Sequence, residues 1–418
     1  MNLSSDQQEL LAGNHGEAAA MAMRVLLDMA HVEGVSEFVS VTSVHVDGCL
    51  MHGATGCYYA EKLKEGGGRV RVPTSLNVGA MDLVRPENVL LKGEMRDLAI
   101  RQMNAYVAMG CTPSWTCAPY QAGFRPALGE QVAWAESNAV VFANSVLGAR
   151  TNRYSDFLDI CCALTGYAPK SGMHIKENRF ATILIDTSSI PESLKQRDDF
   201  YPVLGGCLGR EVGSEIAVIK GLPTDVSEDK LKSLGAAAAS TGAVALFHVA
   251  GVTPEARTVK EATGGRRVNK LIELKPEMLM AEHRRMNSAV GDQLDVVALG
   301  SPHFSLTEFE SLFALMAGRK FKVPVYVCTG RHVLGELEQR NWLQVFEKGN
   351  VRLILDTCVV VTPVIEAKGG VLMTNSGKFA HYSSSLIGHD VVFGSLSECV
   401  ESAVAGRVIR DPSAWGLA

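Results

Sequence analysis

The sequence predicts an α/β protein: parallel sheets covered by helices on both faces, arranged in several α/β units. Three observations predict it. Continuous Val/Ile/Leu runs of four or five residues recur between Gly, Pro or Asp, as strands buried on both faces require. From Leu294 these runs alternate with amphipathic stretches of helical length. A chain of 418 residues, 47% hydrophobic and 20% charged, has apolar material for more than one core.

Taken in order, Ser5-Asp6-Gln7-Gln8 caps a first helix, and Ala18–Met29 is a second. Phe38–Thr42 reads as a strand running into a polar turn, Ser43–Cys49. Gly56–Lys64 reads as a helix ended by Gly66-Gly67-Gly68, and Val70–Pro73 as a strand. Met95–Met109 is a helix closed by Gly110. Two prolines and two cysteines between Cys111 and Tyr120 make a rigid, irregular loop. A long helix is expected over Glu130–Leu147. Ala181–Ile185, Glu215–Ile219 and Ala243–Phe247 read as strands. So do Asp295–Leu299, Pro324–Cys328, Val351–Leu355, Val371–Met373 and Val391–Phe393. A capping box at Ser305–Glu308 starts one helix, and Val333–Lys348 and Ser397–Ala405 are others. Unit boundaries are placed at 1–212, 213–290 and 291–418.

Acidic residues exceed basic ones by five, so nothing predicts an electrostatic grip on nucleic acid or anionic lipid. No apolar run approaches the length of a membrane span, and the first residues lack the pattern of an export signal. Ten cysteines without such a signal point to a reducing compartment, the cytoplasm. No C-x₂-C pair occurs, which argues against a structural zinc site.

Ligands of open parallel sheets bind beyond the carboxyl ends of the strands. This chain places Gly300-Ser301-Pro302-His303, Thr329-Gly330-Arg331-His332, Asp356-Thr357-Cys358 and Thr374-Asn375-Ser376-Gly377-Lys378 there. Any one group could be a turn or helix cap. All four together suit a polar site for a small anion. Cys161, Cys162, Cys207, Cys328 and Cys399 sit among apolar neighbours as core residues would. Cys117, Cys358 and Cys49 lie in loops, although core burial is the stronger reading of each from spacing alone.

Thr116-Cys117-Ala118-Pro119-Tyr120 resembles the T-C-x-P-Y loop of the aconitase X family. Trp134–Val140 with Asn144–Arg153 is similar to that family's longest signature. Pro169–His174 with Glu177–Arg179, then Asp356–Cys358 and Thr374–Lys378, follow its pattern in order. The resemblance runs from about Ser40 to Lys378. It implies an aconitase-like fold and a hydro-lyase that removes water from a small hydroxy acid beside a [2Fe-2S] cluster or mononuclear iron. The 43–49 stretch is most similar to the bacterial branch, which converts cis-3-hydroxy-L-proline to Δ1-pyrroline-2-carboxylate. An archaeal branch dehydrates mevalonate 5-phosphate. It ranks second here, because this chain has no phosphate loop and no dense basic cluster beyond Gly264–Arg267.

The resemblance implies roles for particular residues. Lys378, Ser43 and His45 are expected to be catalytic. Thr42, Asn152, Arg153, Lys170, Ser301, His303, Asn375 and Ser376 are expected to bind substrate, with Arg153 able to clamp a carboxylate bidentately. Cys117 and Cys358 are the expected metal ligands. Many relatives carry Cys-Pro-His where this chain has Ser301-Pro302-His303, and Cys49 is the candidate replacement ligand. The superfamily's proton-abstracting serine lies on a small swivelling domain. No stretch here reads as one, so a separate small subunit carrying that serine is expected. The competing classes are a non-catalytic carboxylate-binding protein and a hydrolase with a cysteine nucleophile.

Overall fold

The computed structural model describes residues 3–365, 369–411 and 415. It contains three all-parallel sheets and one antiparallel pair, Phe38–Ser40 with Tyr167–Pro169. The first parallel sheet is ordered Thr74–Leu76, Val44–Val46, Ala133–Trp134. The second is Phe247–Val249, Ala217–Lys220, Ile183–Asp186, Lys270–Glu273. The third is Val351–Ile354, Val325–Thr329, Val296–Phe304, Val371–Thr374, Asp390–Phe393.

The third sheet explains why its strands were so legible. Val297, Leu299, Val325 and Val327 pack on one face beneath Leu312, Leu337 and Val400. Val296, Ala298, Tyr326 and Cys328 pack on the other with Phe379 and Val364. Successive side chains alternate between two dry faces, so every position must be apolar.

The first unit departs from expectation in three places. Val44–Val46, read as part of a polar turn, is the buried central strand of its sheet. Its three residues are too few to show a period against the polar residues that flank them. The strand expected at Val70–Pro73 is instead Thr74–Leu76. Pro73 has no N–H to give the ladder, and only its carbonyl engages, accepting from Val44 N (3.0 Å). The helix expected from Glu130 begins at Ser137, capped by the Glu136 carboxylate on Ala139 N. Residues 133–134 before it are a strand. The helix then widens over Ala143–Leu147 and closes on Gly148.

Later elements differ less. The strand expected at Ala243–Phe247 lies at Phe247–Val249. The helix expected over Val333–Lys348 is two, Arg331–Gln339 and Leu343–Lys348, split by Asn341 at φ 57°. The helix-compatible sequence expected after the strands of the middle region includes helices Phe200–Val212 and Pro276–Arg285, whereas helix Gly377–Leu386 and the strand Lys270–Glu273 were not anticipated.

A reciprocal pair of carboxylates fastens the first unit to the third sheet. Asp82 Oδ2 accepts from Leu355 N, and Asp356 Oδ2 accepts from Leu83 N, each at 3.1 Å. Arg331 grips Asp356 with two N–H groups (2.7 and 2.6 Å). Both carboxylates are fully buried. Asp82→Asn leaves buried N–H groups short of an acceptor and is expected to cost about 1–3 kcal/mol. Urea denaturation checks this. An unchanged midpoint would show that other contacts hold the seam.

Candidate active site

The first and third sheets bring their carboxyl ends to one place. Strands 44–46, 74–76 and 133–134 lead into Asp47, Asn77 and Glu136. From the third sheet come Ser301, Cys358 and Lys378. These six side chains and Cys117, from the Pro-bounded loop, line one cavity of about 300 Å³. Ser301 reaches it because the central strand slips register between Leu299 and Phe304. Gly300 permits that slip: at φ 87°, a Cβ there would lie 2.1 Å from the Cys328 carbonyl oxygen.

The Lys378 ammonium donates to Glu136 Oε1 at 2.6 Å. Both side chains are largely buried, at 18% and 4% exposed. Burial works against the lysine's charge, but Glu136 and then the two thiols outweigh it and raise its pKa. Burial likewise pushes Glu136 up, while Lys378 and the Ala139 N–H (2.7 Å) bring it below the usual range. The two therefore persist as an ion pair. Asp47 is the opposite case. Burial, then the charges of Glu136, Asp156 and Asp159, raise its pKa well above normal, against one hydrogen bond from the Asn77 amide. The site thus holds one fixed ion pair and one carboxyl whose surroundings favour its neutral form.

Cys117 and Cys358 are free and buried. Burial and then Glu136 push the Cys117 thiol up to about 12, opposed by Lys378 and by the His303 N–H, which donates to its Sγ at 3.2 Å. Burial raises Cys358 too, opposed by the Val361 N–H and Lys378. Two soft donors lining one cavity fit an iron centre better than they fit a hard cation. Among the described residues, the one group of three or more His, Cys, Asp or Glu donors within 4.8 Å of one another is elsewhere, Asp6 with Glu9 and His15. The two thiols are the soft donors that this cavity offers.

The other expected residues scatter. Cys49 faces the first unit's core, its thiol on the carbonyls of Asn77 (3.3 Å) and Val46 (3.5 Å), and does not line the cavity. Asn375 and Ser376 line a neighbouring cavity of about 330 Å³ that shares Gly300 and Ser301 with the first. The Ser376 hydroxyl caps helix 377–386, accepting from Phe379 N, and donates to the Ser301 carbonyl. His303 is buried behind Cys117, its Nδ1 on the Thr116 hydroxyl (2.9 Å). His45 belongs to the first sheet's central strand, its buried ring placing Nδ1 on Ser75 (2.8 Å). Ser43 is half-buried and lines neither cavity. Thr42 is exposed and bonds Glu130, and Lys170 pairs with Glu37 at the surface (2.6 Å). Asn152 braces Ser171 and Met173, and Arg153 is exposed.

Asp47, Asn77 and Glu136 were absent from the sequence-derived set. The available signal is thin: a lone carboxylate or amide after Val-His-Val, Thr-Ser-Leu and Ala-Trp-Ala, of which only the last is wholly apolar. It carries weight only once those triplets are known to be strands.

His45 and His303 are uncharged in the fold, burial holding them at about 4 and about 3. An exposed imidazole titrates near 6.5. The unfolded chain therefore gains protons below about pH 6.5 that the folded chain refuses. Stability is complete above that pH and declines as pH falls, by about 1.4 kcal/mol per unit for each ring. Melting temperature is expected to drop steeply between about pH 7 and about pH 5. A flat profile there would mean that the folded chain admits the charge.

Three family models describe successive parts of the chain: the aconitase X first domain matches residues 1–177, the second 181–284 and the third 294–405. A cis-3-hydroxy-L-proline dehydratase of Pseudomonas aeruginosa is 43% identical over 99% of this chain and 72% of its own length. One from Hypocrea jecorina is 42% identical over 97% and 69%. The phosphomevalonate dehydratase large subunit of Methanocaldococcus jannaschii is 30% identical over 96% of this chain and all of its own length. The crystal structure of Thermococcus kodakaraensis aconitase X in its holo-form superposes with a TM-score of 0.85 at 30% identity, covering 96% of this chain and 100% of that one.

Proposed function

The chain belongs to the aconitase X family, and on that premise we propose that it is a hydro-lyase removing water from cis-3-hydroxy-L-proline to give Δ1-pyrroline-2-carboxylate. The observation that carries this choice of substrate is the charge of the cavity. It offers one ammonium, Lys378, already held by Glu136, and one further carboxyl, Asp47. That inventory suits a substrate with a single carboxylate and a ring nitrogen. Mevalonate 5-phosphate brings a phosphate and a carboxylate, and among the described residues no second Lys or Arg lines the cavity to receive them. Relatives named for phosphomevalonate are also less similar, at 30% identity against 43%.

Cys117 and Cys358 would hold an iron or iron–sulfur centre, which when bound supplies a Lewis acid for the departing hydroxyl oxygen. Lys378 binds the substrate carboxylate and stabilises the negative charge that grows on it as the α-proton leaves. Glu136 fixes the ammonium's position, itself fixed by the Ala139 N–H. Asp47 holds a proton at the cavity wall for the leaving hydroxyl, aligned by Asn77. Val360, Val361 and Leu386 supply apolar lining to the same cavity.

The α-proton needs a base, which we assign to a serine on a small swivel-domain subunit. What supports this is that the chain matches the whole of a relative named as a large subunit, but only 72% of the length of the Pseudomonas aeruginosa dehydratase. Among the described residues no helix is long and apolar enough to cross a membrane. Ten unpaired cysteines suit the reducing cytoplasm. Purified chain, mixed anaerobically with a candidate small subunit, should release water from cis-3-hydroxy-L-proline. Full turnover by this chain alone would overturn the small-subunit assignment. Turnover of mevalonate 5-phosphate in its place would overturn the substrate.

A further inference from the structure

A second cavity, of about 550 Å³, shares no lining residue with the one above. It lies on the seam between the first and middle units, with Arg150 from one side and His248 and Arg257 from the other. We propose that it binds a small doubly charged oxyanion.

Its floor is rigid. Arg179 and His248 are each 2% exposed. Arg179 spends its N–H groups on Glu255 (2.9 Å), on the side chain and carbonyl of Asn144 (2.9 and 3.1 Å) and on the Met173 carbonyl (3.2 Å). His248 Nε2 donates to the Arg179 carbonyl (2.8 Å), which leaves Nδ1 a buried acceptor with no partner.

Three more cations line the walls: Arg150, Lys176 and Arg257. Among the described residues none of the three forms an ion pair, and the buried Nε of Arg150 has no hydrogen-bond acceptor. Two carboxylates share the cavity. Glu255 is taken by Arg179, and Glu261 accepts the backbone N–H of Arg257 (3.1 Å). Four cations against two carboxylates leave a surplus of two positive charges in one concavity. Converging unpaired charges repel, and a dianion relieves that repulsion while taking the N–H fork of Arg150. The unpartnered Nδ1 of His248 selects a ligand that also carries an O–H or N–H. A phosphate monoester and a hydroxylated dicarboxylate both fit this chemistry.

Arg150 is fixed to the segment that leads to Glu136. Its N–H donates to Glu130 O (2.8 Å) and its carbonyl accepts from Val132 N (3.0 Å). The arginine's backbone is thus held by a single parallel bridge to Gln131.

Titration calorimetry of the full chain at low salt tests the site, with inorganic phosphate in one arm and malate in the other. Saturable one-to-one binding of either is expected, and the stronger arm identifies the oxyanion. Lys176→Gln/Arg257→Gln alters two exposed side chains and should fold. It is expected to weaken binding at least about tenfold, as is Arg150→Gln. The double variant Lys378→Met/Glu136→Gln, which strands no buried charge, should bind as the parent does. Equal affinity in both cavity variants, loss of binding in that double variant while it stays folded, or no saturable heat from either anion would overturn the proposal.

Discussion

Replacing Lys378 with methionine is expected to lower kcat/KM for water loss from cis-3-hydroxy-L-proline by about 10²–10³-fold, the usual consequence of deleting one preorganised donor to a developing anion. It is also expected to destabilise the fold. Glu136 would remain buried with its Ala139 N–H but without a cation, and stranding a buried charge costs about 3–5 kcal/mol. Steady-state kinetics with the small subunit and urea denaturation read the two effects separately. The double variant Lys378→Met/Glu136→Gln separates them further. Neutralising both partners removes the stranded charge, so stability should recover while activity should not. Activity of Lys378→Met within about threefold of the parent would show that the ammonium makes no contact specific to the transition state.

Cys117→Ser and Cys358→Ser are each expected to reduce bound iron by at least about tenfold, and with it the visible absorption of anaerobically purified protein. A hydroxyl is harder and far less acidic than a thiol, so it forms a poor anionic ligand at this pH. Cys49→Ser should retain the iron, because that thiol is spent on backbone carbonyls in the first unit's core. Iron and sulfide analysis of the parent decides nuclearity, more than one iron per chain meaning a cluster. If Cys49→Ser lost iron and Cys358→Ser kept it, the cavity would not be the metal site.

The residues singled out by resemblance divide by place: Arg153, Lys170 and Thr42 on one side, Cys117, Cys358 and Lys378 on the other. The latter three meet at the cavity. The former lie at the surface, where Lys170 is engaged by Glu37 and Thr42 by Glu130. A basic or hydroxyl residue within a signature can serve the fold's exterior or a partner as well as a substrate. Residue type alone does not tell these uses apart.

The sequence by itself determined the third sheet, its five parallel strands and the residues at their carboxyl ends. A strand buried on both faces must be apolar at every position, and that constraint is local, so it can be read in a few residues. Only the tertiary structure decided that three short strands of the first unit present Asp47, Asn77 and Glu136 to the same cavity. Triplets such as Val44–Val46 are below the length at which periodicity exists, and their pairing partners lie tens of residues away. The central contact joins Lys378 to Glu136 across 242 residues of chain, a separation over which no local pattern carries information.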